Sequence, residues 1–215
     1  MSALRKPAKF HLMVGVLLSV VSTGAAQVVN REKIAEQLQK DGCARLPGDT
    51  IKVCKYDYRV DGKQIEAITI RPIAEGKYPG VVLLPARSTA ITNLTLATIL
   101  ANHGFASLSI SDIGFGKSEG KSDFMGPATI RAFAAGFRKF EREPFIDSKR
   151  MGLFGYSRGG MAASLLTITL GKDVKAAVFG SGVYDFRRAY EETKIEGIRE
   201  NMKAETGMTE VAIRE

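Results

Sequence analysis

The sequence predicts an α/β fold with a mostly parallel sheet flanked by helices and preceded by an antiparallel hairpin. Short apolar runs alternate with segments of helical periodicity, as in βαβ units. One run, Val81–Leu84, is apolar throughout, which is typical of a strand covered on both faces. An alternating segment, Thr50–Val60, ends at the hairpin signal Asp61-Gly62. The 215 residues, 45% of them hydrophobic, are enough for one domain with a sizeable core.

The first elements are predicted from periodicity alone. Glu32–Lys40 has the pattern of a short amphipathic helix. Thr50–Val60 alternates apolar and polar residues, as a half-exposed strand does. After the turn, Gln64–Ile73 is expected to return as the second strand of the hairpin.

The parallel part is expected to contain four strands, three helices between them and a mostly helical segment after Asp185. The expected strands are Val81–Leu84, Ala106–Ile110, Arg150–Phe154 and Val174–Phe179, and the helices are Leu94–Asn102, Thr129–Glu143 and Gly160–Leu170. Gly104 is the expected C-cap of the first helix. The second helix carries Phe133, Phe137 and Phe140 on one face, which indicates core packing and not a cofactor site.

A G-x-S-x-G motif, Gly155–Gly159, lies between a predicted strand and a predicted apolar helix. That context is the nucleophile elbow of an α/β-hydrolase, in which small residues permit a strained turn that lifts the serine hydroxyl clear of the sheet. Gly116–Gly120 fits the same pattern, but a polar loop follows it. The prediction for the nucleophile is therefore Ser157 and not Ser118.

Four segments of the chain resemble the prolyl-oligopeptidase-like and dienelactone-hydrolase-like branch of the α/β-hydrolases. They are Pro79–Leu84, Gly114–Ser118, Asp147–Gly160 and Gly182–Phe186. The resemblance covers residues from about 50 onward. It implies a serine hydrolase acting on small ester or peptide substrates, with no cofactor and no metal. Dienelactone hydrolases carry cysteine at the elbow, so Ser157 favours a peptidase or esterase. The segment Gly182–Phe186 is closer to the peptidase-like members.

The resemblance also implies an oxyanion hole. Its first donor would be the backbone N–H of Arg158, after the nucleophile. Members usually carry His-Gly after the third strand, where this chain has Pro85-Ala86. Proline has no N–H, so the second donor would come from Ala86 or Arg87. The side chain of Arg87 is either a contact for an anionic substrate group or an ordinary surface arginine.

The partners of a serine nucleophile are missing from the sequence. A serine needs a base, and in this fold the order is Ser, then Asp or Glu, then His. The two histidines, His11 and His103, both precede Ser157. Asp185 is a candidate acid, with a helix cap or turn as the alternative role. We therefore expect residues 27–215 to be the N-terminal two-thirds of the domain, with the last strands, the acid and the histidine beyond Glu215.

Two other function classes are alternatives to a serine hydrolase. The first is a non-catalytic α/β-hydrolase-like protein that binds a ligand or partner. The second, a nucleotide-binding protein, fails because Ser111 stands where a P-loop needs its first glycine before Gly116-Lys117-Ser118.

The first 26 residues have the pattern of a signal peptide. Three basic residues precede the apolar run Leu12–Val21, and small residues at Thr23–Ala26 offer a cleavage site. The mature protein, residues 27–215, is then expected to be secreted or periplasmic without a stable membrane span, an uncleaved N-terminal anchor being the alternative. Cleavage would lower the net charge from +8 to +5, since three basic and no acidic residues leave. Scattered charges of this size give no support for nucleic-acid binding.

The two cysteines, Cys43 and Cys54, lie close together in the sequence. In an oxidising compartment they are expected to form a disulfide, the alternative being two half-buried thiols. Without a nearby histidine they make a poor zinc site.

Overall fold

The structure, a computed structural model, describes residues 30–195 and 197–207. The predicted signal peptide, residues 1–26, lies outside the described residues. The described chain forms nine strands: β1 (Cys43–Arg45), β2 (Ile51–Lys55), β3 (Tyr58–Val60), β4 (Lys63–Ile65), β5 (Ala67–Pro72), β6 (Tyr78–Leu84), β7 (Ala106–Ile110), β8 (Ile146–Tyr156) and β9 (Ala176–Gly180). Its six α-helices are α1 (Arg31–Asp41), α2 (Leu94–Asn102), α3 (Pro127–Glu141), α4 (Arg158–Leu170), α5 (Phe186–Glu192) and α6 (Ile198–Thr206).

Seven strands form the main sheet, in the order β1-β2-β5-β7-β6-β8-β9. The strands β7, β6, β8 and β9 run parallel to one another. The strands β1, β2 and β5 form an antiparallel half, which joins the parallel half through the antiparallel pair β5 and β7. The predicted α/β class, with helices flanking a largely parallel sheet, is confirmed.

Helices cover the sheet on both faces, because alternate residues of a strand point to opposite sides. On β6, Val82 and Leu84 belong to the core beneath α3 and α4, whereas Val81 and Leu83 belong to the core beneath α1 and α2. All four side chains are at most 4% exposed, which explains the uninterrupted apolar run in the sequence.

The two antiparallel strands before the parallel sheet were predicted too long, because each is divided into two shorter strands. A break at Tyr56 and Asp57 divides the first into β2 and β3, and the return strand is likewise divided into β4 and β5. The backbone N–H of Ala67 donates to the Asp57 carboxylate (3.2 Å), and that of Tyr56 donates to the Ala67 carbonyl oxygen (2.8 Å). At the break, these two hydrogen bonds replace the regular hydrogen bonds between antiparallel strands. The predicted turn at Asp61-Gly62 is present and joins β3 to β4.

The predicted helices are confirmed with small shifts at their ends. The helix α2 ends at Asn102, and Gly104 follows it in the left-handed conformation with φ 78°. The helix α3 begins with Pro127, a residue suited to the first turn because it has no N–H to leave unpaired. No described helix is both long enough and apolar enough to cross a membrane.

Cys43 on β1 and Cys54 on β2 face each other in the antiparallel register and are joined by a disulfide. At the opposite end of the described chain, a small cluster of Phe124, Tyr190 and Met202 seats α5 and α6 on the domain. This cluster brings the last described helix to the loops that follow β6 and β7, at the end of the sheet where the elbow lies.

Candidate active site

A sharp turn connects β8 to α4, and Ser157 is its single residue. Its backbone has φ 54° and ψ −124°, a conformation that costs a non-glycine residue about 1–3 kcal/mol. The turn is held from two sides. The Ser157 N–H donates to the carbonyl oxygen of Gly180 at the end of β9 (2.7 Å), and the Ser157 carbonyl accepts from the N–H of Gly160 (2.9 Å).

Glycines on either side of the serine are required by close main-chain contacts. A Cβ atom on Gly155 would come within 1.8 Å of the Gly159 carbonyl oxygen. A Cβ atom on Gly159 would come within 2.5 Å of the carbonyl oxygen of Leu84 on the neighbouring strand β6. The obstructing atoms are backbone and cannot rotate away. The spacing G-x-S-x-G is therefore dictated by how closely α4 lies against the ends of β6 and β8.

The three residues predicted to supply oxyanion donors come together at the same edge of the sheet. Leu84, the last residue of β6, pairs with Gly155, so the Ala86 and Arg87 segment lies beside the elbow. Arg158 is the first residue of α4, and its N–H has no intrahelical acceptor. The residues Ala86 and Arg87 are exposed, and Arg87 has φ 57°.

The side chain of Arg158 does not face solvent but is paired with Glu205 on α6. Two hydrogen bonds join them, Nη1 to Oε2 at 2.6 Å and Nη2 to Oε1 at 3.0 Å. Both side chains are only 10% exposed. The guanidinium of Arg87 adds a second cation 3.4 Å from Oε1, and the hydroxyl of Ser122 donates to Oε2 at 2.5 Å.

These neighbours set the charge of Glu205. Burial by itself would raise the pKa of this carboxyl group. The hydrogen bonds from Arg158 and Ser122, with the positive charges of Arg158 and Arg87, outweigh burial and hold the pKa of Glu205 below its usual range. Glu205 is therefore an anion at neutral pH.

A second carboxyl group, that of Asp112, is buried two residues beyond the end of β7. Its Oδ1 accepts from the N–H of Ile113 (2.9 Å), whereas Oδ2 has no hydrogen-bond partner. Burial raises the pKa of Asp112 to about 6, although the N–H of Ile113, the charge of Arg158 and the N–H of Arg87 oppose the rise.

Comparison with known proteins agrees with this geometry. Residues 118–210, which include the elbow, match the sequence model of the Prolyl oligopeptidase family. The uncharacterized peptidase YtmA of Bacillus subtilis (strain 168) is 28% identical over 165 residues. In structure, the chain superposes on acetyl xylan esterase 1 from Thermoanaerobacterium sp. JW/SL YS485 with a TM-score of 0.58 at 18% identity. It superposes on the acylaminoacyl peptidase of Pyrococcus horikoshii with a TM-score of 0.56 at 18% identity. The chain has the α/β-hydrolase fold.

The matches cover most of this chain but a smaller share of each relative. The match with YtmA takes in 76% of this chain and 63% of YtmA. The corresponding shares are 76% and 60% for the acetyl xylan esterase, and 68% and 25% for the acylaminoacyl peptidase.

Within this α/β-hydrolase fold, the structure does not bring a histidine to the elbow among the residues it describes. His103, the only histidine there, ends α2 with its Nδ1 2.9 Å from the carbonyl oxygen of Ile99. It precedes β7 and so lies at the amino edge of the parallel strands, whereas Ser157 follows β8 at the carboxyl edge.

Two other residues weighed from the sequence have structural uses. The Asp185 carboxylate caps α5 by accepting from the N–H of Arg188 (2.9 Å), which is the alternative role considered above. The hydroxyl of Ser118 is buried and accepts from the N–H of Glu66 (3.0 Å). Over the described residues, there is also no group of three or more His, Cys, Asp or Glu side chains arranged to hold a metal ion.

Sequence reasoning missed Asp112 and Glu205. A signal existed for Asp112, because an acidic residue just beyond the carboxyl end of an apolar parallel strand lies where α/β sheets build their sites. None existed for Glu205, since its partner Arg158 is 47 residues away in the chain.

Proposed function

We propose that this protein is a serine hydrolase in which Ser157 attacks the carbonyl carbon of an ester or peptide bond. The observation that carries the proposal is the strained elbow conformation of Ser157 at the carboxyl edge of the sheet. Such strain is retained at functional sites because the fold around the residue holds it in place. Support also comes from the match to the Prolyl oligopeptidase family.

In the proposed reaction, the Ser157 hydroxyl oxygen forms a bond to the substrate carbonyl carbon as its proton passes to a general base. The carbonyl oxygen becomes an oxyanion, which accepts hydrogen bonds from the backbone N–H of Arg158 and from that of Ala86 or Arg87. Removing one such donor from an oxyanion hole typically costs about 10²–10³ in kcat. Collapse of the intermediate releases the alcohol or amine, and water then hydrolyses the acyl-enzyme.

We assign the general base and its acid to a histidine and a carboxylate outside the described residues. His103 is at the wrong edge of the sheet, and Asp185 is used as a helix cap. Both classes of bond remain in the proposal, because the similar solved structures include an acetyl xylan esterase and an acylaminoacyl peptidase.

We also propose that the protein acts outside the cytoplasm, either secreted or in the periplasm. The support is the signal-peptide pattern of residues 1–26 together with the disulfide between Cys43 and Cys54. Disulfides form and persist in oxidising compartments and are rare in the cytosol.

A second candidate function is ligand binding without catalysis, in an α/β-hydrolase-like protein. It is favoured by one observation, namely that among the described residues no histidine reaches the carboxyl edge of the sheet. The elbow would then be a remnant that shapes a binding site.

Labelling with a fluorophosphonate separates the two functions, since this reagent bonds to an activated serine. The native protein is expected to carry the label on Ser157, as located by peptide mass spectrometry. Ser157→Ala should lose the label and at least about 10⁴ of the rate on p-nitrophenyl acetate. Ser118→Ala, the matched change at the second G-x-S-x-G motif, should keep the label. A folded native protein that takes up no label would overturn the hydrolase proposal and leave the binding function.

A further inference from the structure

The carboxylate of Glu205, on α6, is approached by donors from three residues on other parts of the chain. Arg158 donates twice in the side-by-side geometry that a planar guanidinium offers to a carboxylate. Arg87 and Ser122, which lie on two loops, approach the same two oxygens. Together they form a receptor for one carboxylate group.

Arg158 and the carboxylate that it binds are shielded from water, each side chain being 10% exposed, whereas Arg87 is 39% exposed. The Arg158 guanidinium stacks on the Phe124 ring, 3.8 Å from the ring centroid, and this contact fixes the plane of its donors. Phe124 is itself 3% exposed. A carboxylate bound here is desolvated, and buried charges of this kind need a partner.

The group that fills the receptor comes from α6, which packs on α5: Arg199 donates to the carbonyl oxygens of Tyr190 and Glu191, both at 2.6 Å. In α6, Met202 is the buried residue, whereas Lys203 and Ala204 are exposed. Met202 joins the helix to the cluster with Phe124, and Glu205 joins its last turn to Arg158, Arg87 and Ser122. Because Arg199 lies in the first turn of α6 and Glu205 in the last, the last turn can open and exchange its carboxylate for another while the first turn stays attached to α5.

The charges around the receptor require an anion even when Glu205 leaves. Arg158 would then be left with the charge of the buried Asp112 carboxyl group, and Arg87 would lose the carboxylate with which it forms an ion pair. Two positively charged guanidinium groups and one carboxyl group leave an excess of positive charge, which favours the binding of an anion.

We propose that Arg158, Arg87 and Ser122 form a binding site for a free carboxylate group of the substrate, and that Glu205 occupies this site when substrate is absent. This inference rests on the proposed function, because it is Ser157 that makes the neighbouring position a reaction centre. Arg158 follows Ser157 directly, and consecutive Cα atoms are about 3.8 Å apart. The substrate class is therefore an ester or amide that also carries a carboxylate.

The first test empties the site and refills it with a small acid. Glu205→Ala removes the carboxylate and one methylene, and acetate has the size of the missing piece. We expect acetate to raise the unfolding temperature of Glu205→Ala in a saturable way. Acetamide at the same concentration, and sodium chloride at the same ionic strength, should not do so. Arg158→Gln/Glu205→Ala, the matched control, should show no acetate response.

The second test asks whether Glu205 exchanges in the unaltered protein. A tethered carboxylate competes at an effective concentration in the millimolar range or above, so the wild type should bind acetate at least about tenfold more weakly than Glu205→Ala. Raising acetate should increase amide hydrogen exchange over α6. If α6 exchange stays constant, or if acetate fails to stabilise Glu205→Ala, the ion pair is only an anchor for α6 and the inference is wrong.

These results can be told apart from a failure of the proposed function. Ser157→Ala should respond to acetate as the wild type does, because it leaves the receptor intact. Acetate binding without fluorophosphonate labelling would reject Ser157 as nucleophile and keep the anion site. Labelling without acetate binding would reject the anion site alone.

Discussion

The backbone N–H of Ser157 donates to the carbonyl oxygen of Gly180 at 2.7 Å, which ties the elbow to the end of strand β9. The bond comes from a residue in a backbone conformation that favours glycine. The elbow is therefore held in place by its neighbours on the sheet against its own local preference.

The first prediction is that glycine at position 157 gives a more stable protein than alanine at the same position. Ser157→Gly should have a free energy of unfolding about 1 kcal/mol higher than Ser157→Ala, because glycine adopts φ 54° without strain. Urea unfolding measures the difference. At Ser148, an exposed position in β8, the same pair of substitutions should rank in the opposite order, since glycine there only adds unfolded-state entropy. If the glycine and alanine variants rank in the same order at both positions, the elbow is not strained.

The second prediction concerns Gly159 and the contact with β6. Gly159→Ala should lower the free energy of unfolding by about 3 kcal/mol or more, because the added Cβ meets the backbone oxygen of Leu84. Gly104→Ala is the control. It adds the same atom where nothing lies within 4 Å, and its φ of 78° should cost only about 1 kcal/mol. Similar losses in both variants would mean that α4 can move away from β6.

The third prediction is a pH dependence that comes from Asp112. The pKa of about 6 lies above the ordinary value of 3.8, so the folded state binds the proton more tightly than the unfolded state. Stability contributed by the protonated form should therefore be lost as the pH rises from about 4 to 6, by about 2–3 kcal/mol.

Asp112→Asn should remove this loss, which urea unfolding at pH 4, 5, 6 and 7 would show. The control Asp61→Asn neutralises an exposed carboxylate and should leave the slope unchanged. The contribution of Glu205 has the opposite sign, because its pKa is lowered: it is present above its ordinary pKa and is lost at more acidic pH. A fall in stability from pH 4 to 6 that survives in Asp112→Asn would disprove the assignment.

The fourth prediction concerns the disulfide between Cys43 and Cys54. It closes a loop with a sequence separation of 11 residues, and the loss of unfolded-state entropy corresponds to about 2–3 kcal/mol. Cys43→Ser/Cys54→Ser should lower the free energy of unfolding by that amount. Dithiothreitol should produce a similar loss in the wild type and none in the double variant. A reductant effect in the double variant would show that another process is being measured.

Much of the parallel half of the fold could be predicted because its strands are buried on both faces. Ala106–Ile110 was predicted with the bounds that β7 has, and Val81–Leu84 falls inside β6. The antiparallel half could not be bounded in this way. The break at Tyr56 and Asp57 depends on hydrogen bonds to Ala67, ten or more residues away, which leave no periodic trace.

The same difference between local and long-range contacts decides which parts of the candidate site could be predicted. The elbow could be predicted because its glycines are imposed by local main-chain contacts, which leave a fixed spacing in the sequence. The pairing of Arg158 with Glu205 could not, since it arises when α6 folds back against the loops at the carboxyl edge of the sheet.

The short strand β1 has a consequence for how the protein behaves when concentrated. A sheet margin with a long row of unpaired backbone groups invites a strand from another molecule. Here the outer strand has only three residues, and its first residue is covalently fixed to β2. A second molecule would find too short a ladder to extend, so this side of the sheet is protected against self-association through added strands.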